Sequence, residues 1–229
     1  MKKEFLKTSL ILMIYTLIAG IALALVYQFT ESRIAEAELE NIIKSMEFLL
    51  TDEAGNQIVS AKDIKDIVVS KRGEMGKELY NDSIGTVISP VYDFSNNNVK
   101  YFVLTGHAVG YGGKVLSMVA FKYDGNNITL HRIKVLDYSQ ETPGLGAKIA
   151  ESKIQERFYP ISEDGLEKGV KVDKDAGKQS LDPENAKAEG VVKVSDVMTG
   201  ATITPRAVAN SINAMYKYLK DKYLAGGEN

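Results

Sequence analysis

The chain has 229 residues, enough for one sizeable domain and a short extension. Its formal net charge of −2 argues against the basic face that a nucleic-acid partner requires. It has no cysteine, which excludes disulfides, thiolate zinc sites, cysteine-ligated iron–sulfur clusters and a Cys-x-x-Cys-His haem attachment, and its two histidines, His107 and His131, are too few and too isolated to make a metal site.

From Thr8 to Thr30 no side chain is charged. As a helix this stretch is roughly 34 Å long at 1.5 Å per residue, enough to cross a ~30 Å hydrocarbon core with some tilt. Lys2, Lys3 and Lys7 precede it, and Glu31, Arg33 and Glu36 follow it. The positive-inside bias predicts a cytoplasmic N-terminus and an extracytoplasmic remainder, that is, a single-pass protein of the cell (inner) membrane. A cleaved signal peptide ending near Ala22-Leu23-Ala24 is the competing reading, but the apolar run is longer than a signal core and continues past those alanines.

Beyond the span, Ile34, Leu39, Ile42, Ile43, Met46 and Leu50 recur at helical spacing, so the helix is expected to continue until Asp52 to Gly55 breaks it. Lys62 to Tyr92 reads as a short helix and a loop-like insertion. Lys100 to Leu104, Val115 to Tyr123 and Ile128 to Leu136 are rich in β-branched and aromatic residues and read as strands. Gly110 to Gly113 and Asp124 to Asn127 are the turns between them, which favours an antiparallel sheet. Lys148 to Phe158 is expected to be a helix, Glu163 to Glu189 a polar surface excursion, and Val191 to Val194 a short strand. Thr204 is predicted to cap a last helix with Pro205 at its first position. The fold class is α+β: a transmembrane helix, then a mainly antiparallel sheet with flanking helices. The predicted divisions are a cytoplasmic N-terminus and anchor over 1–30, a helical connector and the N-terminal part of the extracytoplasmic domain over 31–95, the main domain over 96–224 and a disordered tail over 225–229.

Two segments carry chemistry. In Asp196-Val197-Met198-Thr199-Gly200-Ala201-Thr202, Gly200 and Ala201 have little bulk, so a ligand can approach the backbone. The helix that follows presents unpaired amides and the positive end of its dipole, where a phosphate is favoured, and Arg206 adds a charge. In Ser139 to Lys148, a crest between a strand and a helix, Leu145 suits a planar ring while Gly144 and Gly146 let it approach; Glu141, Thr142 and Lys148 supply polar groups. Taken alone, each segment also reads as an ordinary turn before a helix.

Taken together they resemble the FMN-binding domain shared by the G subunit of the Rnf electron-transport complex and the C subunit of the sodium-pumping NADH:quinone reductase. The family pattern is Glu-Thr-Pro-Gly-Leu-Gly, then Asp-x-x-Ser/Thr-Gly-Ala-Ser/Thr before a C-terminal helix. Glu141 to Gly146 and Asp196 to Thr202 match both, and Gly110-Tyr111-Gly112-Gly113 before a strand is also similar. The resemblance covers roughly Tyr101 to Leu219 and makes 96–224 the FMN-binding domain. It implies that Thr202 carries FMN through a phosphoester bond installed by a flavin transferase using FAD. It also implies that Asp196, Thr199, Gly200 and Ala201 complete the attachment motif. Glu141, Thr142, Gly144, Leu145 and Gly146 are then expected near the isoalloxazine or ribityl chain, with Lys148 a further candidate. Val197 stands where many members have glycine.

The implied role is an electron relay with no catalytic residue of its own. The relay serves an Rnf-type ferredoxin:NAD⁺ oxidoreductase that couples electron transfer to Na⁺ or H⁺ transport, with the complex's other membrane and peripheral subunits as partners. Three alternatives stay open: the quinone-reductase C subunit, whose domain is typically longer, a cofactor-free, membrane-anchored binding or scaffold module, and a free-standing flavin reductase.

Overall fold

A computed structural model describes residues 2–225, so the predicted tail beyond Ala225 lies outside the described residues. The chain divides after Ile42 into two compact units. The first lies on α1 (Lys2–Leu49), which is long and apolar enough to cross a membrane. Its threonines satisfy their own hydroxyls: Thr8 donates to the Glu4 carbonyl at 3.0 Å, Thr16 to Met13 at 2.9 Å and Thr30 to Val26 at 2.9 Å. Such back-bonding lets a hydroxyl sit in an apolar setting without an orphaned polar group.

The second unit begins with the end of α1, whose Met46 and Leu49 are fully buried. Asp52 stops the helix; its carboxylate accepts from the Asn56 amide at 2.7 Å in a tight turn. Helix α2 (Ala61–Ser70) is capped by Ser60, which accepts from the Asp63 amide at 3.1 Å, and it buries Ile64 and Val68.

A five-stranded antiparallel meander follows: β1 (Glu78–Asn81), β2 (Thr86–Asn96), β3 (Val99–Val109), β4 (Lys114–Tyr123) and β5 (Ile128–Asp137). Helix α2 is the short helix expected near Lys62, whereas the predicted loop-like insertion holds β1 and most of β2. Strands β3 and β4 pair without a break from Lys100↔Tyr123 to Val109↔Lys114, which brings the Gly110–Gly113 turn to one end of the sheet.

After β5 the predicted helix over Lys148 to Phe158 is three short pieces: a 3₁₀ turn (Gly146–Ala150), α3 (Ser152–Gln155) and a second 3₁₀ turn (Glu156–Phe158). The predicted surface excursion is also corrected. It contains α4 (Glu163–Glu167), β6 (Lys171–Val172), α5 (Asp173–Ala176) and α6 (Pro183–Ala188), and it buries Leu166, Val170, Val172, Asp173 and Ala186. β6 pairs in parallel with β7 (Val191–Val192), which is shorter than predicted.

The last helix, α7 (Ile203–Tyr218), packs across β2, β3 and β4. Val208, Ile212 and Met215 are fully buried in one cluster with Leu104, Val119 and Phe121. The opposite face of the sheet is covered from the other side: Lys71 Nζ donates to the Val91 carbonyl at 2.7 Å, the His131 ring nitrogen lies 3.0 Å from the Thr51 carbonyl, and the Arg132 guanidinium stands 5.3 Å from the Phe48 ring. Burial holds His131 below its ordinary pKa.

The seam between α7 and the sheet is buried. Ile212→Ala removes a fully buried side chain there and is expected to cost about 2–5 kcal/mol, seen as a fall of roughly 5–15 °C in the thermal midpoint of the unloaded protein.

Candidate functional site

Three segments far apart in sequence meet at one end of the sheet: the β3–β4 turn, the crest after β5, and the approach to α7. Glu141 joins them. It is only 4 % exposed. One carboxylate oxygen accepts from the Gly112 amide at 3.2 Å, and the other accepts from the Thr204 hydroxyl. A buried carboxylate of this kind is tolerable only when donors surround it.

The glycines make the approach possible. A Cβ on Gly112 would overlap the Gln140 carbonyl oxygen, and one on Gly146 would stand 2.7 Å from the Thr204 hydroxyl. Gly144 and Gly200 hold φ of +74° and +84°, the left-handed region that side chains rarely adopt, and so turn the chain into and out of the site.

Between the segments lies a cleft of about 330 Å³. The crest contributes Glu141, Thr142, Leu145 and Gly146; the approach contributes Gly200, Ala201 and Thr202. Seven of the sequence-predicted residues thus share one cleft. The remaining four stand outside its lining. Gly144 forms the turn beside it. Lys148 is half-buried in the 3₁₀ turn. Asp196 pairs with Arg157 at 3.3 Å, and the Thr199 hydroxyl lies 3.4 Å from the Ser195 carbonyl.

The cleft also contains Tyr111, Ile203 and Thr204, which sequence reasoning did not assign to the site. Thr204 was predicted to cap the helix. It is instead the second helical residue, 1 % exposed, with its hydroxyl on Glu141, and Pro205 is the third. The helix starts two residues earlier than the Thr204-Pro205 pair suggests. Tyr111 and Ile203 are 72 % and 40 % exposed, and with Leu145 at 45 % they leave apolar surface facing solvent around the cleft, the kind of surface that marks a binding site.

Thr202 occupies the N-cap position of α7 but does not cap it. Its backbone is helical (φ −75°, ψ −29°) where capping residues are normally extended, and its side chain makes no cap bond. The hydroxyl is turned to Lys174, whose ammonium donates to it at 3.3 Å. The charge predicted from Arg206 is engaged elsewhere. Its guanidinium makes two 2.6 Å hydrogen bonds to Asp175, and these hold the Asp175 carboxyl below its ordinary range. No sequence pattern flagged Lys174, which lies 28 positions before Thr202.

The arrangement has two chemical ends. At one, a threonine hydroxyl stands beside an ammonium and the amides of the first turn of a 16-residue helix, a setting for a phosphate. At the other, exposed Tyr111, Leu145 and Ile203 suit the faces of a planar ring system.

Comparisons with known proteins place the chain in a family. Residues 110–217 match the FMN-binding domain family, and residues 1–47 match the RnfG N-terminal region. The G subunit of the Na(+)-translocating ferredoxin:NAD(+) oxidoreductase complex of Acetobacterium woodii is 30% identical over 92% of this chain and 89% of that protein. The G subunit of an ion-translocating oxidoreductase complex of Cereibacter sphaeroides is 30% identical over 93% of this chain and 83% of its own length. A crystal structure from Thermotoga maritima, described as an RnfG subunit of an electron transport complex, superposes with a TM-score of 0.65 at 36% identity, covering 79% of this chain and 96% of that one.

Glu141 is expected to matter before any ligand arrives. Glu141→Ala leaves the Gly112 amide and the buried Thr204 hydroxyl without their acceptor, which costs about 2–3 kcal/mol. The thermal midpoint of unloaded protein should fall by roughly 5–10 °C. An unchanged midpoint would show that the three segments are held by something else.

Proposed function

Since this chain belongs to the RnfG family, the G subunits of ion-translocating oxidoreductase complexes, and contains its FMN-binding domain, we propose that Thr202 carries FMN as a phosphoester and that the domain relays electrons within an Rnf-type ferredoxin:NAD⁺ oxidoreductase coupled to Na⁺ or H⁺ transport. The observation that carries the reading is the Thr202 hydroxyl itself. It sits at the start of α7, unused by the helix, at the polar end of a cleft of about 330 Å³. That volume lies at the small end of the ~300–1,000 Å³ range of ligand pockets, which suits a group held by one end with its ring near the mouth.

The residues fit the group. Gly200 and Ala201 let a phosphate reach the backbone before α7, and the first-turn amides face it. Leu145 of the crest and Ile203 of α7 offer apolar contact to the ring, with Tyr111 at the rim. Glu141 keeps its carboxylate on Gly112 and Thr204, so its part is to hold the walls together while Thr142 presents a hydroxyl to the cleft. Bound FMN supplies reversible one-electron chemistry, and a phosphate tether leaves its redox ring unmodified.

A flavin transferase using FAD completes the protein on this reading. The Thr202 oxygen joins the phosphorus of the FMN half, the bond from that phosphorus to the bridging pyrophosphate oxygen breaks, and AMP and the hydroxyl proton leave. Lys2, Lys3 and Lys7 before the apolar stretch favour a cytoplasmic N-terminus and an extracytoplasmic domain, where free FMN is scarce and a tether prevents loss. The partners are the complex's membrane and peripheral subunits.

Denatured full-length protein from transferase-containing cells is expected to fluoresce in a gel and to carry the mass of one FMN, and Thr202→Ala is expected to lose both signals. A wild-type protein that stays at its unmodified mass in those cells sinks the covalent reading.

A further inference from the structure

We propose that Lys174 is the phosphate-binding cation of this site: its ammonium pairs with the phosphodiester formed at Thr202. The inference rests on the covalent reading above and adds to it a residue from outside both sequence motifs.

The argument starts from how an exposed lysine comes to stand over one hydroxyl. Lys174 lies on α5, four residues that have no helical stability of their own. The surrounding chain fixes them. Asp173 is fully buried and accepts from the Ser195 hydroxyl and, at 3.0 Å, from the Lys174 amide. Asp175 is tied to α7 by the two hydrogen bonds from Arg206. Gly177 closes the turn at φ +65°, and β6, immediately before α5, pairs with β7. The backbone on either side of Lys174 is therefore anchored both to the approach loop, through Ser195, and to α7, through Arg206. These are the two elements that flank Thr202.

The charges around Lys174 are sorted in the same way. Its two acidic neighbours have partners of their own, Asp173 with Ser195 and Asp175 with Arg206. Arg206, the cation nearest to Thr202 in sequence, is engaged by Asp175. Lys174 is left to direct its ammonium at the Thr202 oxygen, 3.3 Å away. A phosphodiester on that oxygen carries one negative charge on two free oxygens next to the ester atom. A lysine head with three donors on a flexible stem reaches them with a small rotation. Charge-assisted contacts to phosphate are among the stronger hydrogen bonds, though exposure to solvent reduces the effect to about tenfold in rate or affinity.

The test uses full-length protein in detergent, purified flavin transferase and FAD. FMN incorporation is followed by intact mass for wild type, Lys174→Gln, Lys174→Arg and Thr202→Ala, and the phosphorus resonance of each loaded protein is recorded by NMR. Lys174→Gln is expected to load about tenfold more slowly and, once loaded, to shift the phosphorus resonance. Lys174→Arg should restore most of the rate. The unloaded variants should melt with the wild type, because the lysine head is exposed. Lys174→Gln loading at the wild-type rate with an unmoved resonance overturns the proposal. So does slow loading with an unmoved resonance, which would make Lys174 a contact for the transferase and not for the phosphate. If wild type takes up no FMN, or Thr202→Ala takes it up equally, the covalent reading itself fails, and the Lys174 proposal falls with it.

Discussion

Glu141 lies 4 % exposed between two donors that belong to different parts of the chain, the Gly112 amide of the β3–β4 turn and the Thr204 hydroxyl of α7. Desolvating a carboxylate is costly, so this position persists only while both donors are in place. The requirement runs both ways. Satisfying Glu141 brings the hairpin turn against the crest and the crest against the first turn of α7, and the space left between them is the cleft. Glycine at 112 and 146 follows from the same constraint, because a side chain at 112 would run into the Gln140 backbone and one at 146 into the Glu141 and Thr204 side chains. The motif that reads as a ligand loop in the sequence is in the first place a clasp, and the cleft is its consequence.

The clasp also explains the unusual state of Thr202. A threonine before a helix normally turns back and accepts from an amide of the first turn. Here Thr204 is drawn toward Glu141, and the backbone at Thr202 is already helical, a geometry that does not direct its side chain back over the first turn. The helix begins without a side-chain cap. Its first-turn amides and the Thr202 hydroxyl are left facing the same region, a modest loss of helix stability that creates a place for an anion.

The two motifs were legible because their chemistry is local: a run of small and hydroxyl residues before a helix, and a glycine-bracketed crest after a strand. The hairpins were legible for the same reason, since Gly110 to Gly113 and Asp124 to Asn127 sit between runs of β-branched residues. What escaped was non-local. Strand β2 carries Pro90 and a register shift between Ile88 and Tyr92, and it is buried on both faces, so it lacks clean alternation. The stretch from Glu163 to Glu189 is polar in composition, and polar residues are read as solvent-facing; yet Asp173 is fully buried because Ser195, far along the chain, supplies a donor. No periodicity encodes that. The start of α7 was misplaced by two residues because Thr-Pro is a sound capping pattern that a tertiary contact overrides, and the engagement of Arg206 was not legible because its partner Asp175 is 31 positions away.

The polar and apolar ends of the cleft bear on why a tether suits this site. The apolar residues that would contact a ring, Tyr111, Leu145 and Ile203, are 72 %, 45 % and 40 % exposed, so each still presents a large part of its surface to water. An open rim of this kind leaves a flavin ring accessible to a redox partner, and electron passage between proteins needs that access. The same openness weakens noncovalent retention, because hydrophobic binding scales with the apolar area removed from water. Burying the ring more deeply would strengthen retention at the expense of contact with the partner. A bond at the phosphate end, as proposed for Thr202, would separate the two demands: attachment would fall to Thr202 and the ring end would be free to stay shallow. On this view the exposure of the apolar rim and the uncapped hydroxyl of Thr202 are two parts of one arrangement, and buried Glu141, bonded to Gly112 and Thr204, ties together the segments that carry them.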